Sequence, residues 1–132
     1  MGEIFKTYLS VGLGSALGGM GRLWLSDFVA ERIGETFPWG TLAVNVSGSL
    51  VIGFFAGLTD VDGKFLVPQL FRQFFMMGIC GGYTTFSSFS WQTLNLVREG
   101  EWLYAGANAL FSFALCMIAV WLGYLAGEML NH

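Results

Sequence analysis

The chain reads as an all-α membrane protein with four transmembrane helices, the third broken near its middle. Three observations carry that prediction. Of 132 residues, 55% are hydrophobic and only 11% charged, against about 25% charged in soluble domains, and the mean hydropathy is +0.62. Long apolar segments, separated by short polar breaks, fill the chain. The third segment is interrupted by glycines and hydroxyl side chains. A single domain, residues 1–132, is expected, because four spans of about 20 residues plus loops use nearly all of the length. The net charge of −3 and a pI near 4.9 provide no basic stripe, so nucleic acid is not an expected partner.

The first segment covers roughly residues 4–30. Lys6 precedes an apolar run that starts at Tyr8 and continues past Leu25 with no cleavage site, so a retained helix is expected rather than a signal peptide. The break over residues 31–38 ends in Pro38, placed to start a helix at Trp39. The second segment runs over roughly 39–59, and Thr59-Asp60-Val61-Asp62-Gly63-Lys64 then forms a turn cluster. The third covers roughly 66–97. As one straight helix it would reach about 48 Å, too long for a hydrocarbon core of about 30 Å. The glycines resolve this by splitting it into half-helices, roughly 66–79 and 85–97, around a non-helical elbow. Arg98-Glu99-Gly100-Glu101 is the tightest connection, and the fourth segment follows over roughly 102–128. Cys80 and Cys116 fall in apolar stretches and read as packing residues, with no zinc-type spacing. His132 is the last residue and is expected to be frayed.

The run Gly78-Ile79-Cys80-Gly81-Gly82-Tyr83-Thr84-Thr85-Phe86-Ser87-Ser88-Phe89-Ser90 is the most informative part. Irregular backbone at membrane depth persists only where protein or a water-filled cavity covers it. The run therefore marks a pathway. Phe86 and Phe89 share a helix face at i, i+3. Core packing is one reading; the other is an anion route lined by positive ring edges and hydroxyl protons. Carbonyls of the elbow, residues 81–84, need partners at membrane depth, and Na⁺, water or side-chain donors would each serve.

Other polar residues stand inside the apolar segments. Arg22 either snorkels to the headgroups or makes a vestibule positive and draws anions in. Thr41, Asn45 and Ser49 form an i, i+4 stripe, and Tyr104, Asn108 and Ser112 form a matching one. An asparagine amide can donate to an anion or join two helices. Lys6, Lys64 and Arg72 fall on one side of the membrane, against Arg32 and Arg98, plus Arg22 if it lies near that end. Orientation follows an excess of Lys and Arg in cytoplasmic loops. With so even a split, either a small bias decides, or both orientations insert and pair antiparallel as a dual-topology homodimer. Gly14 with Gly18, Gly53 with Gly57, and Gly123 with Gly127 repeat at the i, i+4 spacing that lets helices self-associate closely.

Several motifs together resemble the Fluc (CrcB) fluoride channel family. They are Gly18 with Arg22, the run Gly40-Thr41-Leu42-Ala43-Val44-Asn45-Val46-Ser47-Gly48 with Gly53, and the Gly78 to Ser90 run; segment 4 matches in character only. The resemblance implies an antiparallel, dual-topology homodimer with two fluoride pores. It implies pore walls from Phe86 and Phe89, a polar track from Ser87 and Ser88, and Asn45 facing the fluoride path. Thr41 precedes the pore asparagine, Arg22 matches the vestibule arginine, and Tyr104 stands for a segment 4 pore tyrosine. A structural Na⁺ at the dimer centre is implied, held by the backbone carbonyls of Gly81 and Thr84. Ser88 replaces the threonine of many members and keeps the hydroxyl. The implied biology is passive fluoride export across a bacterial inner membrane, by a multi-pass channel that is not an enzyme.

Three rivals differ in what they require. A small dual-topology proton-coupled multidrug exporter needs a carboxylate at membrane depth, and Glu3, Asp27, Glu31 and Glu128 all lie near segment ends. An intramembrane hydrolase using Ser87 or Ser88 lacks a neighbouring base. A non-catalytic assembly subunit leaves the polar stripes unexplained.

Overall fold

The structure is a computed structural model that describes residues 1–131; the expectation for His132 falls outside them. Its elements are α1 (Gly2–Ile33), α2 (Trp39–Leu58), α3 (Gln69–Gln73), a π-helical stretch (Phe74–Cys80), α4 (Gly81–Tyr83), α5 (Phe86–Arg98) and α6 (Trp102–Asn131). The four expected segments are all present. Residues 69–83 make one continuous half-helix and α5 makes the other. By length and composition α2 and α6 can each cross a membrane, with mean hydropathies of 1.7 and 2.1.

Local chemistry sets the boundaries. Pro38 immediately precedes α2, as expected. Gly34 stops α1 at φ 105°, with its N–H on the Ala30 carbonyl at 2.8 Å, and Gly100 turns the chain between α5 and α6 at φ 80°. Both conformations favour glycine because a Cβ would crowd the following carbonyl. Arg72 donates from Nη1 to the Thr59 hydroxyl at 2.6 Å, which ties the start of the broken segment to the end of α2.

Glycines set the packing. On α2, Gly53 and Gly57 lie so close to α6 that a Cβ would collide with the Val120 and Tyr124 carbonyls. On α6, Gly123 and Gly127 would collide with the Leu50 and Phe54 carbonyls in return. Partner numbers rise together, so α2 and α6 run parallel. The same device joins α1 to the first half-helix. A Cβ on Gly14 would sit 2.5 Å from the Phe74 carbonyl oxygen, and one on Gly82 would sit 2.6 Å from that of Ser15. Along α2 the pairing to the broken segment runs in reverse, from Gly48 beside Tyr83 and Thr84 to Phe55 stacked on Phe75 at 4.4 Å. Neighbouring segments are thus antiparallel and next-but-one segments are parallel.

Two expectations change here. The i, i+4 glycine pairs read as self-association faces are used inside the chain, where backbone must meet backbone. The elbow also moves. Gly78, Gly81 and Gly82 all stay helical, and the first half-helix runs to Tyr83 instead of ending near residue 79. Extended backbone begins only at Thr84 (ψ 157°) and Thr85 (φ −151°, ψ 116°). Gly78 and Gly82 serve close approach to α1, while β-branched threonines, stiff and strand-favouring, take the break.

The outer surface is apolar. Leu13, Leu17 and Trp24 on α1 and Leu110, Phe113 and Trp121 on α6 are all more than half exposed. Lipid or another protein suits such a surface; water does not.

Candidate functional site: an elbow beside a cavity

Breaking a helix strands backbone donors and acceptors, and each must find a partner away from water. The elbow supplies them from three helices. The Thr84 N–H and its hydroxyl both donate to the Cys80 carbonyl, each at 3.0 Å. The Thr85 hydroxyl caps α5 by accepting the Ser88 N–H at 3.1 Å, the usual job of an N-cap threonine. From α2, Asn45 grips the Thr85 peptide groups. Its Oδ1 accepts the Thr85 N–H at 2.8 Å, and its Nδ2 donates to the Thr85 carbonyl at 3.0 Å. From α1, Arg22 donates through Nε to the Gly82 carbonyl at 3.4 Å. The Tyr83 hydroxyl meets Ser47 Oγ at 2.8 Å.

Beside the elbow lies a cavity of about 510 Å³ between α2, the broken segment and α6. Its wall includes Asn45, Ser49, Thr84, Thr85, Phe86, Phe89 and Ser112. The rings of Phe86 and Phe89 are 5.5 Å apart and inclined at 47°. Phe86 is 79% exposed, so one flank of the cavity is open at the surface of the chain. The wall carries hydroxyls, an amide, thiols, aromatic rings and aliphatic groups, and no ionisable carboxylate or amine.

A second, more polar pocket of about 260 Å³ lies toward the start of α2. Buried Thr41 lines it with Ser26, Gln92 and Asn95, and Glu35 and Glu99 stand there too. The stripe predicted on α2 therefore serves both spaces, with Thr41 at this one and Asn45 and Ser49 at the larger.

The remaining predicted residues are more scattered. Ser88 gives its N–H to the Thr85 cap, and exposed Ser87 has its hydroxyl 3.3 Å from that of Thr85; both lie beside the cavity wall rather than on it. Tyr104 stands in a third pocket with Phe37, its ring edge-on at 6.0 Å. Further along its stripe, buried Asn108 donates to the Thr93 hydroxyl at 2.8 Å and accepts from Ser112 at 3.3 Å. That part of the α6 stripe joins α6 to α5.

The break leaves carbonyls without helix partners. In an unbroken helix the Gly81 carbonyl would accept the Thr85 N–H, but that donor is turned to Asn45. Arg22 takes the Gly82 carbonyl. No hydrogen bond to the Gly81 or Thr84 carbonyl is present among the described residues. Nor do those residues place three His, Cys, Asp or Glu side chains together for a metal. Hard cations take oxygen ligands, and the Gly81 and Thr84 carbonyls are oxygens of that kind without a hydrogen-bond donor.

A family model described as "CrcB-like protein, Camphor Resistance (CrcB)" matches residues 9–124. The chain belongs to the CrcB family. Among curated CrcB relatives, one from Paramagnetospirillum magneticum is 58% identical over 96% of this chain and 98% of its own length. Others, from Rhodospirillum rubrum and Methylocella silvestris, are 56% and 54% identical, again over at least 95% of each chain. All three are named "Fluoride-specific ion channel FluC". Against this CrcB fold, the sequence reading passed over the elbow roles of Thr85 and Ser47. Thr85 with Ser88 three residues later is N-cap spacing and was readable. The bond from Ser47 to Tyr83 spans 36 residues and carries no local signal.

Proposed function

We propose that this chain is a fluoride-selective channel that carries fluoride passively out of the cell and so protects it from fluoride toxicity. One observation carries the reading: relatives up to 58% identical over nearly the whole length bear the name of a fluoride-specific channel. The cavity chemistry supports it. Fluoride is small and strongly hydrated, so a path must replace its water shell with donors. The hydroxyl of Ser49, the amide of Asn45 and the ring edges of Phe86 and Phe89 are donors without a fixed charge, while the Thr84 and Ser112 hydroxyls give their protons to Cys80 and Asn108. A neutral wall of this kind binds weakly enough to release the ion. A proton-coupled exporter would need a carboxylate there, and this wall has none.

In this reading all four segments span the inner membrane of a bacterium. Two chains pair antiparallel, and the partner covers the open flank beside Phe86 to complete each of two pores. Thr41 and Tyr104 stand along the approach, Ser87 and Ser88 flank the track, and Arg22 holds positive charge near the entry. A shared Na⁺ would hold the Gly81 and Thr84 carbonyls of both elbows together and offset their negative charge. The even split of basic residues across the loops supports insertion both ways.

Liposomes loaded with fluoride and chloride test the function. Protein-dependent release of fluoride with chloride retained is expected; equal release of both ions rejects selectivity. Crosslinks between single introduced cysteines test the pairing, and exclusively parallel products would reject the antiparallel dimer.

A further inference from the structure

The grip of Asn45 on Thr85 does more than fill two hydrogen bonds. Asn45 lines the cavity, and both ends of its amide are tied to one backbone residue 40 positions away. A free asparagine amide can turn over, exchanging oxygen for nitrogen with little change in shape. This one cannot do so without loss. Its oxygen meets an N–H and its nitrogen meets a carbonyl. Turning it over would set N–H against N–H and oxygen against oxygen, so both bonds would be lost and both contacts would repel.

We infer that the Thr85 backbone fixes the sense of the Asn45 amide, leaving one amide proton, and never the oxygen, for an anion in the cavity. Asparagine nitrogen carries two protons. Thr85 takes one, and the second is left for the cavity. Asn45 is therefore a positioning residue as well as a donor. The next residue after the gripped peptide is Phe86, so the same two bonds set where the aromatic wall begins. Selectivity then depends on a backbone group that never touches the ion. This deepens the fluoride reading and rests on it for its consequence, but the grip itself can be read without any ion.

Two measurements test it. In wild-type protein the Thr85 amide hydrogen should exchange slowly with solvent deuterium, and in Asn45→Ala it should exchange roughly tenfold faster or more. Equal exchange in both would overturn the grip. For the consequence, Thr85 is replaced by its α-hydroxy acid, which swaps the backbone N–H for oxygen and keeps the side chain. Asn45 Oδ1 then faces an ester oxygen and only the bond from Nδ2 to the Thr85 carbonyl still holds the amide's sense, so the preference is weakened. In liposomes the ratio of fluoride to chloride release should fall roughly tenfold or more, an amount matching one charge-assisted hydrogen bond. A variant that loses flux but keeps the wild-type ratio would overturn the inference, because a purely structural brace predicts that result. Wild-type liposomes that release no fluoride would reject the channel reading alone, since the exchange measurement stands without it.

Discussion

The α2–α6 seam and the elbow at Thr84 and Thr85 handle the backbone in opposite ways. Along the seam every backbone group is already paired within its own helix. All that is needed there is closeness, and four glycines supply it by leaving out Cβ atoms that would strike Leu50, Phe54, Val120 and Tyr124. At the elbow the backbone has lost its own partners, and side chains from α1, α2 and the segment itself replace them. Glycine in the seam is a packing residue, even in the stretch that leads to the break. Threonine and asparagine at the elbow are substitutes for missing helix. One region depends on volume and the other on hydrogen-bond polarity, and different substitutions damage each.

The largest effect is expected in the seam. Gly53→Val or Gly123→Val forces a side chain into a carbonyl of the facing helix and should cost about 3 kcal/mol or more. The measurement is the yield of monodisperse protein in detergent, and wild-type yield would break the seam half of the comparison. Asn45→Asp is next. It keeps the acceptor for the Thr85 N–H, loses the donor to the Thr85 carbonyl and puts a charge on the cavity wall. Fluoride efflux should fall by about tenfold or more, while size-exclusion chromatography shows an unchanged assembly. Phe86→Ile should behave alike, because it removes a ring edge and leaves the backbone intact. Efflux at the parent rate in both variants would remove this cavity from the route.

Smaller changes sharpen the same contrast. Thr85→Ala removes the cap on α5 and should cost about 1 kcal/mol in thermal unfolding. Gly12→Ala, on α1 where nothing lies within 4 Å, should be neutral or stabilise by up to about 1 kcal/mol. A clear loss at Gly12 would show that something outside the chain packs against that face.

Much of this architecture was legible in the sequence, for identifiable reasons. Segment number followed from apolar length, and the existence of a break followed from a stretch too long for one span. The position of the break was not legible. Glycine weakens an isolated helix, but α1 presses on Gly78 and Gly82 and keeps them helical. The stripe of Thr41, Asn45 and Ser49 marked a face of α2 that lines two cavities in the structure. That the Asn45 amide engages a single backbone residue on another segment could not be read, because one sequence carries no distances. The fates of the two stripes differ for the same reason. Spacing was alike on both, yet Asn108 is taken up by Thr93.

The parallel pairing also bears on how the protein is made. Both glycine seams join segments that are next but one in the chain, so neither can close when its first member leaves the ribosome. The bare face at Gly14 and Gly18 waits for the third segment, and that at Gly53 and Gly57 waits for the fourth. In the proposed four-span topology, helices enter the membrane first and dock later, in the two-stage order of membrane folding. Until α6 arrives, α2 holds an uncovered groove among the lipids, and interrupted synthesis would leave it open to any other helix with small residues at the same spacing.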